Sequence, residues 1–217
     1  MKNLLNKEIK LAASPLSFFF LAFALMALIP GYPIVLSAFF VCLGLFYSFQ
    51  AARENNDILY TALLPVRKSD VVRAKFIFVI FIQMVFFVLS FVLTLLRMTV
   101  MNGSEVYVNN PMMNANQLYL AFILLVFALF NTVFLAGFFR TAYKFGKPFI
   151  FFVVTSALLI VLGETLHHIP GLEYLNATDT AANALMWIIL LASAVIYALV
   201  TLASCRASQS SFDKVDL

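Results

Sequence analysis

Six long apolar runs, at residues 11–29, 32–50, 76–96, 118–139, 148–166 and 181–204, limit what this 217-residue chain can fold into. The hydrocarbon core of a bilayer is crossed by about 20 mostly apolar residues in a helix, because the backbone N–H and C=O groups must satisfy one another inside the segment. Each run therefore predicts one membrane-crossing helix. Composition points the same way. Only 11% of residues are charged and 64% are hydrophobic, whereas a soluble domain carries roughly 25% charged residues. Too little polar surface remains to coat a water-soluble core. The predicted fold class is all-α: a polytopic membrane protein of six transmembrane helices, forming a single transmembrane domain over residues 1–217.

Between the first two runs stand Pro30, Gly31, Tyr32 and Pro33. Two prolines and a glycine in four residues force a tight turn, so these runs predict an antiparallel hairpin. Cys42 and Cys205 fall inside predicted spans, and no disulfide or metal framework follows from them. Three lysines precede the first run with no small-residue cleavage site after it, so a removable leader is not expected.

Basic residues set the expected orientation, because Lys and Arg are retained on the cytoplasmic side. Thirteen of the fourteen fall in the N-terminus, the second-to-third and fourth-to-fifth connections and the tail; Arg97 alone falls on the other side. Both termini are expected in the cytoplasm and the chain in the plasma membrane. The spread of these charges over several loops, rather than along one soluble face, argues against a nucleic-acid partner. In the N-terminal segment, Leu4, Leu5, Ile9 and Ala12 lie near one helical face. That predicts a short helix in the interface, with Lys2, Lys7 and Lys10 toward anionic headgroups.

The connection after the second run is unusual. Residues 51–64 are long enough for their own helix, with Ile58, Leu59, Ala62 and Leu63 on one stripe. Arg53, Glu54 and Asp57 stand upstream, and acids near a helix start suit its dipole. Pro65 ends the element, and Ser69 is the better N-cap candidate for the next helix. Periodicity allows either a helix resting on the membrane or a docking element for a soluble partner. The mixed face, with Tyr60 beside acids and amides, is less basic than a lipid-binding helix.

The run from Glu54 to Phe76, with Leu64, Pro65, Val66 and Arg67 at its turn, resembles the matching segment of ABC-2 type exporter permeases. The resemblance is to the small six-span branch that includes the phenol-soluble modulin exporter permeases. It implies that residues 51–64 are a coupling helix seated in a cytosolic ABC ATPase. Glu54, Asp57, Ile58, Leu59, Tyr60, Leu63, Pro65 and Arg67 would be its contact residues. It further implies a bacterial transporter of two ATPase subunits and two permease copies, identical or sister chains. The sequence has no phosphate-cradling loop: in "FGKPF" the upstream glycine is missing and Pro148 takes the Ser/Thr position. The chain is therefore expected to bind no cofactor and to be no enzyme; ATP and Mg would belong to the partner ATPase.

Within the spans, Gln83 and Asn131 are amides that must find partners, across helices or along a wet substrate path. Glu164 and His168, four apart, are candidates for an external gate between the fifth and sixth runs. A zinc site would require a third ligand, and none is fixed by the spacing. The leading expectation is an exporter permease for amphipathic or hydrophobic peptides. The alternatives are a substrate-capturing importer subunit or a membrane-embedded enzyme. The enzyme reading suffers because the spans hold almost no ionisable group.

Overall fold

The computed structural model describes residues 4, 7–8, 14–57, 61, 66–101, 103–141, 144–178 and 184–215. Among these residues the chain is helical, without strands. The first helix begins as α1 (Pro15–Phe19) and tightens into a 3₁₀ stretch, Phe20–Leu28. There follow α2 (Leu36–Glu54), α3 (Lys68–Thr99) and a short α4 (Glu105–Val108). A central rod runs from Gln117 to Thr141. It consists of α5 (Gln117–Leu129), a π-helical stretch Phe130–Leu135, and α6 (Ala136–Thr141). Then come α7 (Gly146–Leu166), a 3₁₀ turn Glu173–Asn176, and α8 (Ala184–Asp213).

Among the described residues, five helices are long and apolar enough to cross a membrane. The exception is the first run, whose helix covers only Pro15–Leu28. Its start is set by local chemistry that the apolar count ignored. Ser14 is the N-cap, its hydroxyl accepts from the Leu16 N–H, and Pro15 occupies the first helical position, where a missing N–H costs nothing. The end falls at Ile29, before the Pro30–Gly31 turn, where Gly31 has φ +70°.

Three other boundaries differ from the sequence expectation, because hydropathy measures the membrane-crossing part of a helix and not the whole helix. α2 continues through Ala51–Glu54, residues assigned above to a separate coupling helix. The break comes at Asn55 and Asn56, where Asn56 adopts φ 51°, a conformation that asparagine tolerates. Helix resumes at Asp57, and 58–60 and 62–65 lie outside the described residues. α3 starts at Lys68, eight residues before its apolar run, so Ser69 sits in the first turn while Arg67 is the cap residue. α8 extends to Asp213, well past the run that ends at residue 204.

The central rod has 78% of its most apolar stretch buried inside the protein, against 28% for α7 and α8. It is the axis around which the others stand, α8 packing along it most extensively. Phenylalanines fill the gaps. Phe46 stacks on Phe149 with ring centres 3.8 Å apart, and Phe130, Phe134 and Phe138 from the rod meet Phe152, Phe49 and Phe139. Such aromatic pairs add specificity to simple burial. Where helices come closest, the chain places glycine. A Cβ on Gly44 would lie 2.7 Å from the Phe20 ring, and one on Gly137 would lie 2.7 Å from the Pro148 ring.

Candidate functional site

Thirteen of the fourteen basic residues mark one end of the bundle in the sequence, hereafter the basic end. There, three separate pieces of chain converge on Lys75, which is 3% exposed on the third turn of α3. Its Nζ lies 2.8 Å from Glu8 Oε2 and 3.1 Å from Asp57 Oδ2. Lys7 Nζ lies 2.7 Å from Asp57 Oδ1 and 3.5 Å from Glu8 Oε1. Lys7 also donates to Thr61 Oγ1, whose hydroxyl donates to the Asp57 carbonyl. Two cations and two carboxylates form a closed, neutral group, which is the condition for burying charge at tolerable cost. Phe49 covers it, its ring centre 5.8 Å from Lys75 Nζ.

Asp57 is positioned by the Asn55–Asn56 break, which turns the chain so that its carboxylate meets both lysines. Burial pushes this carboxyl up, but the charges and hydrogen bonds of Lys75 and Lys7 outweigh it, so the group stays below its ordinary value. Glu54, by contrast, is exposed and accepts from Gln50 Nε2 at 3.0 Å. Arg67 is exposed at the extended start of α3. The other expected contact residues, Ile58, Leu59, Tyr60, Leu63 and Pro65, lie outside the described residues. So do Lys2 and Lys10; Lys7 pairs with Asp57.

Halfway along α3, Gln83 and Asn131 face each other across the bundle, both fully buried. Gln83 Nε2 donates to Asn131 Oδ1 at 3.0 Å and Asn131 Nδ2 donates to Gln83 Oε1 at 3.1 Å. The Tyr197 hydroxyl donates to Gln83 Oε1 at 2.8 Å, and Asn131 Nδ2 reaches Thr201 Oγ1 at 2.9 Å. The Ser204 hydroxyl donates to the backbone carbonyl of Asn131. Asn131 lies in the π-helical stretch, a conformation frequent at functional positions because it interrupts the regular ladder. Three helices are thus tied together by polar bonds among buried side chains.

The opposite end is closed by asparagines. Arg97, 1% exposed, donates to the Ala27 carbonyl at 2.8 Å and to Asn114 Oδ1 at 2.6 Å, and lies 4.0 Å over the Tyr107 ring. It therefore holds the end of the first helix and the loop before α5. Asn116 caps α5, accepting from the Leu118 and Tyr119 N–H groups, while its amide donates to the Leu175 and Ala177 carbonyls. Glu164 is buried and its Oε2 accepts from the Met113 N–H at 3.0 Å. His168 is exposed in the turn after α7, its ring 4.1 Å from that of His167. The helix ends at Leu166, so His168 stands in the turn just beyond the helix that carries Glu164.

Sequence reading missed Lys7, Glu8 and Lys75 as a cluster, since nothing in spacing ties residue 8 to residue 75. Arg97 did carry a signal, as the one basic residue on the wrong side. Compared with known protein families, residues 3–213 match the family described as ABC-2 family transporter protein. No curated protein and no solved structure matched the chain.

Two outcomes follow for stability in detergent. Lys75→Met strands two buried carboxylates and is expected to cost about 3–5 kcal/mol, read as a lower melting temperature. Asp57→Asn gives the pH dependence. A carboxyl held below its ordinary value stabilises the fold above the unfolded value, and that stability is lost as pH falls through the folded one. The wild-type advantage over Asp57→Asn should therefore be constant from about pH 8 to about pH 5 and disappear only below about 3.9. An advantage that fades between pH 8 and 5 would mean that the lysines do not hold Asp57 ionised.

The amide pair gives a third outcome. Gln83→Leu and Asn131→Leu should each cost about 1–2 kcal/mol, because each leaves the other amide unsatisfied. The double variant removes both and should cost clearly less than the two together. Additive costs in that cycle would mean that the two amides act independently.

Proposed function

The chain belongs to the ABC-2 transporter family, and from that premise we propose that it is the membrane-spanning permease subunit of an ATP-driven exporter. It works as a pair of permease copies joined to two cytosolic ABC ATPases, which supply ATP, Mg and hydrolysis. The basic end faces the cytoplasm, with both termini there, in the plasma membrane of a bacterium. The first helix is the sixth crossing. Five α-helical and nine 3₁₀ residues rise roughly 25 Å, close to the hydrocarbon thickness of about 30 Å. The cargo is an amphipathic or hydrophobic peptide.

The observation that carries this reading is the buried charge cluster. The coupling segment begins at Asp57, where the cluster welds it to α3 through Lys75 and to the N-terminal segment through Lys7. The apolar stripe Ile58, Leu59 and Leu63 is then the surface offered to the ATPase, with Tyr60, Glu54, Arg67 and the Pro65 turn around it. When ATP closes the ATPases, their pull on this segment acts on α3. Because α3 holds Asn131 through Gln83 at its middle, the displacement reaches the π-helical part of the central rod and α8 together. Nucleotide shifts the permease only as far as the two states differ in affinity for it. At the far end, the loop held by Glu164, with His168 at its edge, is what must loosen for cargo to leave.

Docking and coupling separate experimentally. Leu63→Glu should greatly reduce the ATPase recovered per permease in a detergent pull-down, because a charge would replace an apolar contact residue. Asp57→Asn should recover ATPase as wild type does and yet lose most ATP-driven transport in vesicles. Wild-type transport by Asp57→Asn would remove the lever from the mechanism. Full ATPase recovery by Leu63→Glu would reduce the segment to a connector.

Orientation is tested by single cysteines in a background without Cys42 and Cys205. Val106→Cys should react with an impermeant thiol reagent added to intact cells, and Ser210→Cys should react only after lysis. The reverse pattern would invert the proposed topology.

A further inference from the structure

We infer that the inner half of the central rod carries a binding groove for an anionic phospholipid, open sideways between α7 and α8. Two cavities adjoin there. One, of 740 Å³, lies between the π-helical stretch and α6 on one side and the end of α8 on the other, with Arg140 and Lys214 in its lining. The second, of 430 Å³, lies between α6 and the start of α7, with Arg140, Lys144 and Lys147 in its lining. Both are walled by Val133 and Gly137 and both contain Arg140. Val133, Gly137 and Arg140 follow one another at four and three residues, so they form one face of the rod. That face is only partly covered: the Pro148 ring of α7 meets it at Gly137, and the two cavities share Val133, Gly137 and Arg140 on either arm of one groove.

Its chemistry is that of a headgroup site over an acyl-chain slot. The floor is made by small or apolar side chains, Val133, Ala136 and Gly137, with Pro148 and the 65%-exposed Phe151 at one side. Four cations surround it, and among the described residues no carboxylate lines either cavity. Among the described residues none of the four has an ion pair. A concave apolar wall below clustered positive charge concentrates anions at its mouth, and basic pockets between membrane helices suit lipid headgroups. The charge also decides against the other occupants. A second copy docked face to face would set these cations against the same four, which like-charge repulsion opposes. A soluble acidic segment would satisfy the rim but leave the floor uncovered. An inner-leaflet lipid with a phosphate headgroup satisfies both, and the inference needs only the membrane location and the proposed orientation, not export.

The single tryptophan makes a direct test possible. In a Trp187→Phe background, Phe151→Trp places the only indole in the groove of the full chain, reconstituted in phosphatidylcholine vesicles. Brominated phosphatidylglycerol should quench it more strongly than brominated phosphatidylcholine at equal mole fraction. That preference should be lost in Arg140→Gln/Lys147→Gln/Lys214→Gln. It should persist in Arg73→Gln/Arg206→Gln, which removes basic-end charge elsewhere, and in Arg140→Lys, which keeps the groove charge and guards against a folding defect. Equal quenching by the two lipids, or a preference that survives the triple variant, overturns the site. Efficient disulfide formation between two copies carrying Val133→Cys would make the groove a seam between permeases and overturn it as well. Quenching requires neither ATPase nor cargo, so its failure would leave the export reading standing, while an inverted cysteine pattern would leave the quenching result intact.

Discussion

An ammonium group cannot be buried in an apolar bundle without anions around it, and Lys75 is where this chain meets that constraint. The solution draws one carboxylate from the N-terminal segment, Glu8, and one from the far side of a turn, Asp57. A second lysine, Lys7, restores neutrality. None of these groups is favourable there alone. Desolvation of each ion costs several kcal/mol, and only mutual geometry offsets it. That dependence makes the cluster a joint with one arrangement: the parts of chain it connects move together or the cluster breaks.

α3 carries the fold's polar devices at three depths. Lys75 serves the basic end, Gln83 the middle and Arg97 the asparagine-rich end. Its 32 residues rise roughly 48 Å, so it exceeds the hydrocarbon core at both ends. A single long helix tied at base, waist and tip is stiff against local bending. The amide bonds are individually modest, but their partners lie on different helices, so they fix the rotation of α3, the rod and α8 about their axes.

The division between buried and lipid-facing surface follows from the same arrangement. The rod is covered on most sides, and its polar residues Asn131 and Thr132 are bonded within the protein, Thr132 to the Ala128 carbonyl. α7 and α8 present Leu158, Leu162, Leu191 and Leu199 outward, as lipid contact demands. At the basic end the rod's small side chains Val133, Ala136 and Gly137 are half-buried beside Arg140 and Lys147. The surface there differs in kind from the plain hydrocarbon face elsewhere.

The sequence by itself determined the helical class, the positions of the long helices and the charge asymmetry of the bundle, because backbone satisfaction in lipid and retention of Lys and Arg act on each segment alone. It also marked Gln83 and Asn131, since an amide in an apolar run must have a partner, and the α2–α3 connection through its polarity. It did not determine helix ends. Ser14–Pro15 shortened the first helix, and polar residues lengthened α3 and α8 beyond their apolar cores. Nor did it reveal which groups meet. Glu8 with Lys75, Gln83 with Tyr197 and Arg97 with Ala27 are 67, 114 and 70 residues apart. The partner of a buried charge or amide is chosen by whichever helix stands beside it at that depth, and only the packing of the bundle around its central rod decides that.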